Sequence, residues 1–177
     1  MNRLGELTLQ IGGKKTGKTH FCKRWIRQGC YDKVLIIEAS DEYAEFDNDK
    51  ECTRMVWNND NKLAISKALN DFHDGFLIVE DIFSDKEKMT TDFLGLISCL
   101  RSKRIDVVMN FQTVKMALNP KIASVANVLR IFKTNETTML LKKILKYNNN
   151  MFDYFAKAEV HNYESKDPYS FIRIEVD

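Results

Sequence analysis

Two prolines and seven glycines in 177 residues exclude a collagenous, proline-rich or glycine-rich low-complexity chain. The four cysteines, Cys22, Cys30, Cys52 and Cys99, lie far apart and form no CxxC pair. They read as reduced core thiols of a cytosolic protein, and zinc is not expected. No stretch approaches the roughly 20 apolar residues of a membrane-spanning helix. The opening MNRLGELTLQ holds no apolar signal core. Nor does one sign of charge dominate, since 27 Lys and Arg stand against 25 Asp and Glu, a formal +2. A histone-like polycation is excluded, so any contact with nucleic acid has to come from local patches. The expected setting is the cytoplasm, with no membrane partner.

What is present is an ordinary globular composition, 44% hydrophobic and 29% charged, of a length that suits one domain over residues 1–177. Glu6–Ile11 is short, β-rich and followed at once by Gly12-Gly13, which predicts a strand entering a tight loop. Phe21, Cys22, Trp25 and Ile26 share one helical face between Lys18 and about Gln28. The continuous apolar run Lys33–Glu38 suits a strand covered on both faces. Further strands are expected at Glu51–Trp57, Phe76–Glu80, Ile105–Phe111, Val128–Phe132 and Tyr169–Val176. Helical spacing links Ile65, Ala68, Leu69 and Phe72, and again Phe93, Leu96, Ile97 and Leu100. Helices are also expected around Lys115–Ala126, Thr138–Tyr147 and Phe152–Glu159. Alternation of this kind predicts an α/β fold, a mostly parallel central sheet with helices on both faces. Ligands of such sheets bind at the carboxyl ends of the strands, just after Ile11, Glu38, Val79 and Phe111.

Gly12-Gly13-Lys14-Lys15-Thr16-Gly17-Lys18-Thr19 occupies the first of these positions and matches G-x-x-x-x-G-K-[ST]. Gly12 and Gly17 let the backbone turn around a β-phosphate, Lys18 reaches the β and γ oxygens, and the Thr19 hydroxyl ligates Mg²⁺. The helix that starts here adds its positive dipole end. ATP and Mg²⁺ are therefore the expected ligands, in a P-loop NTPase. Lys14 and Lys15 either face solvent, help neutralise phosphate, or touch a neighbouring subunit or DNA.

A nucleotide hydrolase also needs a carboxylate for the metal shell and one to orient water. Phe76-Leu77-Ile78-Val79-Glu80-Asp81 supplies four apolar residues and then two acids at a strand's carboxyl end. Glu80 is assigned to hold magnesium through water, and Asp81 to polarise the attacking water. Glu38 arrives at the same edge, where a structural and a catalytic role are both open. Gln112, just past Phe111, can touch a γ-phosphate and report its presence. Arg101 and Arg104, at i and i+3, can project from the domain edge into a neighbour's site as an arginine finger, or cap a solvated helix end. His20, His73 and His161 have no metal spacing and are expected to be structural.

Together LTLQIGGKKTGKT, VLIIEASDEY, FLIVED, RSKRIDVVMNFQ and NVLRIFKTNE resemble the FtsK/HerA branch of P-loop ATPases. More narrowly, the chain is similar to the small DNA-packaging ATPases of double-stranded DNA viruses and phages. That branch places an additional strand, ending in Gln, between the phosphate-loop and acidic-pair strands. It sets an Arg about eleven residues before that Gln, the separation of Arg101 and Gln112. The Glu42-Tyr43 pair after the second strand also recurs in the branch. The resemblance implies a homo-oligomeric ring that hydrolyses ATP to thread DNA through a central pore, with duplex DNA expected and single-stranded DNA left open. Active sites then lie between subunits, and a portal or capsid protein is a possible further partner. The Glu-Asp order and the Lys14-Lys15 pair depart from the branch. DNA grip would come from the core, with candidates in Ser84–Lys88, Lys115, Lys121 and the cluster Lys142, Lys143 and Lys146. Two other readings stay open, a filamentous-phage-type assembly or secretion ATPase and a small P-loop kinase.

Overall fold

The computed structural model describes residues 4–58, 60–82, 99–117, 125–134, 157, 161, 164–167 and 169–175. Seven strands form one sheet: β1 (Leu7–Ile11), β2 (Val34–Glu38), β3 (Cys52–Val56), β4 (Gly75–Glu80), β5 (Ile105–Phe111), β6 (Val128–Phe132) and β7 (Phe171–Glu175). Their order is β3-β2-β4-β5-β1-β6-β7. Every pairing is parallel except β6–β7, which is antiparallel. β5 lies between β1 and β4, as the resemblance implied, and five of the seven strands are buried at every position. Their mostly apolar composition explains this, since such a strand suits cover on both faces, although Thr8, Gln10, Glu38, Glu80, Asp106, Asn110 and Arg130 are buried with it.

Among the described residues, two helices supply cover on opposite faces. On α1 (Lys18–Arg27), Cys22 and Ile26 pack with Val34, Ile36, Phe76, Ile78 and Val108. On α2 (Lys62–Asp71), Ile65 and Leu69 join Leu35, Ile37, Leu77, Val79 and Leu9. Alternation along each strand sends odd and even positions to these separate clusters. Gly5, just before β1, has no room for a side chain: a Cβ there would lie 1.9 Å from the Ile105 carbonyl oxygen.

Val114–Ala117 is helical, overlapping the start of the helix expected around Lys115–Ala126. Of the four cysteines expected in the core only Cys22 is buried; Cys52 is half-buried and Cys30 and Cys99 are exposed. The helices expected at Phe93–Leu100, Thr138–Tyr147 and Phe152–Glu159 fall largely outside the described residues, as do Ser84–Lys88, Lys121, Lys142, Lys143 and Lys146. Among the described residues no helix is long and apolar enough to cross a membrane.

Candidate functional site

Parallel register brings the carboxyl ends of β1, β4 and β5 to one edge of the sheet, with Ile11 beside Phe111 and Glu80 beside Asn110. The loop after β1 is clamped by its own neighbours. The Gly12 N–H donates to the Phe111 carbonyl (3.1 Å) and the Gly13 N–H to that of Lys133 (2.8 Å). These two glycines thus anchor the loop by their amides, and Gly12 also permits close approach, since a Cβ there would lie 2.6 Å from Phe132 Cβ. Gly17 caps α1 with φ 104°, a left-handed conformation that glycine adopts without strain. Lys15 also has positive φ, at 62°. The first turn of α1 carries no acidic residue, so its positive end is not offset from within the helix.

Lys14, Lys15, Thr16, Gly17, Lys18 and Thr19 line one side of a cleft of about 660 Å³, with Glu80, Asp81 and Gln112 across it. Lys18 is buried, and its Nζ donates to the Gly12 and Gly13 carbonyls at 2.7 and 3.0 Å. The Thr19 hydroxyl lies 2.7 Å from Glu42 Oε2 and 3.3 Å from Glu80 Oε1.

Glu80 is 1% exposed. Its Oε2 accepts from the Tyr43 hydroxyl (2.8 Å) and from the Asn110 side-chain amide. Burial pushes this carboxyl up to about 7. The two donors pull it back, while the charges of Asp81 and Glu42 push it further up. Asp81, one residue past β4, has φ 46° and accepts at Oδ2 from Gln112 Nε2 at 2.8 Å. Burial raises this carboxyl as well, offset by the Gln112 bond and the Lys18 charge. Asp81 Oδ1 is buried without a hydrogen-bond partner.

Glu38 does not join this group. Its side chain is fully buried, with Oε1 2.9 Å from Arg54 and Oε2 accepting from the Glu42 and Tyr43 backbone amides. Its role is structural, because these bonds pin the turn that delivers Tyr43 to Glu80. Arg104, weighed above as a finger, pairs within the chain with Asp74 Oδ1 at 2.6 Å. Arg101 opens the 3₁₀ turn Arg101–Lys103 that feeds the amino end of β5. Its backbone is therefore a strand's length, roughly 20 Å, from the phosphate loop of its own chain.

Several residues lining the cleft or buried behind Glu80 were not singled out from sequence. Asn110 shares the α1 face of β5 with Asp106 and Val108, so a polar residue in an apolar run was its signal. Tyr43 lay in the quoted Glu-Tyr motif without a role. His20, expected to be structural, lines the cleft and stacks on Tyr169, with ring centroids 5.5 Å apart and planes 18° apart. That pairing joins α1 to the turn before β7, and no local pattern announces it.

The donor set fits magnesium. Thr19, Glu80 and Glu42 bring hard oxygens together, and Asp81 Oδ1 remains unsatisfied beside them. Among the described residues no three His, Cys, Asp or Glu side chains form a metal cage. Magnesium that arrives with a nucleotide needs only one or two protein oxygens, the rest coming from phosphate and water.

In three dimensions the chain is similar to B204, the DNA-packaging ATPase from Sulfolobus turreted icosahedral virus. The TM-score is 0.70 at 20% identity, over 99% of this chain and 94% of that one. The genome packaging NTPase B204 from Sulfolobus turreted icosahedral virus 2, in complex with AMPPCP, gives 0.68 at 20% identity, over 97% and 92%. The cytoplasmic domain of the Thermomonospora curvata type VII secretion ATPase EccC gives 0.60 at 12% identity, over 97% of this chain and 24% of that chain. No family model and no curated protein sequence matches the chain. At these identities the likeness establishes the fold, a P-loop NTPase fold of the B204 type.

Proposed function

We propose that the chain is a Mg-ATP hydrolase that moves DNA, the motor subunit of a viral genome-packaging machine. One observation carries the hydrolase reading: the phosphate loop, Glu80, Asp81 and Gln112 converge on a single cleft from three separate strand ends. The packaging role rests on the likeness to B204 together with the Arg101 and Gln112 spacing.

On this reading the loop and the α1 amino end bind the triphosphate, and Lys18 leaves the Gly12 and Gly13 carbonyls to reach the β and γ oxygens. Thr19 and Glu80 would hold magnesium, which supplies charge neutralisation for the departing phosphate. Asp81 orients and polarises the attacking water, taking its proton at the unpartnered Oδ1. Gln112, already bonded to Asp81, senses the γ-phosphate and aligns that carboxylate. Arg101 reaches a neighbouring copy's cleft and stabilises charge in the transition state. A closed ring of such subunits would complete every cleft in this way.

Purified protein should hydrolyse ATP faster when duplex DNA is added, and Lys18→Ala should remove most turnover. No DNA response, with phosphate passing to a nucleoside monophosphate, would identify a kinase instead. Arg101→Ala subunits mixed with Lys18→Ala subunits should regain turnover, since each supplies what the other lacks. An assembled mixture no better than its parts would place the finger elsewhere.

A further inference from the structure

The sheet order divides the cleft into two ends. β4 and β5 lie on one side of β1 and carry Glu80, Asp81 and Gln112; β6 and β7 lie on the other. The acids mark where the terminal phosphate must go, so a nucleoside triphosphate seated in the loop sends its base toward β7. Tyr169 stands there. Its ring rests on the last glycine of the loop, so close that a Cβ on Gly17 would lie 2.8 Å from Tyr169 Cδ1. One ring neighbour is His20, stacked at 18°.

The backbone that carries the ring is held by hydrogen bonds, while the side chain is left half-exposed. The Tyr169 N–H donates to Asp167 Oδ1 at 2.8 Å, and the Ser170 N–H to the Asp167 carbonyl at 3.2 Å. The next residue but one, Phe171, is packed edge-on to Phe21 and against Phe132. Still Tyr169 is 53% exposed, one of three large apolar side chains so exposed among the described residues, and it lines the cleft. A rigid, half-open aromatic face costs little ordering entropy when a flat ligand covers it.

We propose that Tyr169, backed by His20, is the stacking platform for the nucleobase. This deepens the reading of the cleft as a nucleoside-triphosphate site and rests on it. Stacking senses the π-face of a base and not its edge, so the platform favours purines over pyrimidines and separates adenine from guanine weakly.

The test compares binding of ATP with that of tripolyphosphate, which has the phosphates and no base. For Tyr169→Ala we expect ATP affinity to fall on the order of 10- to 100-fold, with tripolyphosphate affinity unchanged. Tyr169→Phe should bind ATP as the unaltered chain does. Should the alanine variant not fold, Tyr169→Leu, which keeps apolar cover on Gly17, provides the same comparison. Unchanged ATP affinity in the ring-less variant, or an equal loss for both ligands, overturns the platform while leaving the phosphate site intact. An unaltered chain that binds neither ligand overturns the cleft reading and the platform together.

Discussion

The Tyr43 hydroxyl donates a 2.8 Å hydrogen bond to Glu80 Oε2, although 37 residues separate the two. With the Asn110 amide on the same oxygen, both donors are drawn to one side of the carboxylate. Oε1 is left facing the Thr19 hydroxyl. The bond therefore sets both the orientation and the charge of the group that faces the metal position.

Tyr43→Phe removes a donor that holds the Glu80 carboxyl down, so its value should rise above about 7. A hydrogen bond to a charged group contributes roughly 1.5–3 kcal/mol, or about 1–2 pH units. The acid limb of the ATP turnover profile should move to higher pH by up to that amount. Turnover should drop on the order of tenfold at pH 7 and recover in alkaline buffer. An unmoved profile would show that Glu80 ionisation does not limit the rate.

Asp81→Asn and Glu80→Gln should fail differently. The first keeps nucleotide affinity and loses on the order of 10²- to 10⁴-fold in kcat, the usual scale for a positioned base. The second should also weaken the response to added magnesium. Steady-state turnover and fluorescent-nucleotide binding, run side by side across a magnesium titration, separate the two. Normal hydrolysis by Asp81→Asn would reassign the water-activating role.

Glu80 binds its proton more tightly folded than unfolded, with a value of about 7 against 4.5. Its stabilising share is therefore complete below pH about 4.5 and is lost as the pH climbs through about 7. The difference corresponds to on the order of 3 kcal/mol. Asp81 and Glu38 are raised as well and slope the same way. Urea titrations of the ligand-free chain at pH 5 and 8 should show this loss, and Glu80→Gln should shed Glu80's part of it. Equal slopes for the two proteins would contradict the assignment.

Arg54 reaches Glu38 Oε1 and Asp41 at 2.9 Å each and Asp47 at 2.5 Å, while the Glu38 side chain has no exposure. Arg54→Ala leaves a buried carboxylate without its cation, a change that costs about 3–5 kcal/mol. The urea midpoint should fall accordingly. Glu38→Gln, which removes the charge but leaves Arg54 its other partners, should cost less. A larger loss for Glu38→Gln would refute this account of the cluster.

The amino-acid sequence by itself determined the seven strands, the helices after the phosphate loop and before β4, and the phosphate loop itself. Ile105–Phe111 and Val128–Phe132 were bounded to the residue, because a mostly apolar run, broken only by Asp106, Asn110 and Arg130, suits a strand with both faces covered. Gly12–Thr19 and Glu80-Asp81 were legible because each needs its residue types at fixed spacing along one stretch of chain. Tertiary structure alone decided the partners. Strand register aligns Glu80 with Asn110, Asn110 with Gln10, and Gln10 with Arg130, one transverse row on the α1 face drawn from four distant segments. It likewise retired Glu38 to a structural role, turned Arg104 onto Asp74, and stacked His20 beneath Tyr169. Such contacts depend on which strands become neighbours, a choice made by burying the whole sheet at once, and no local pattern of residues records it.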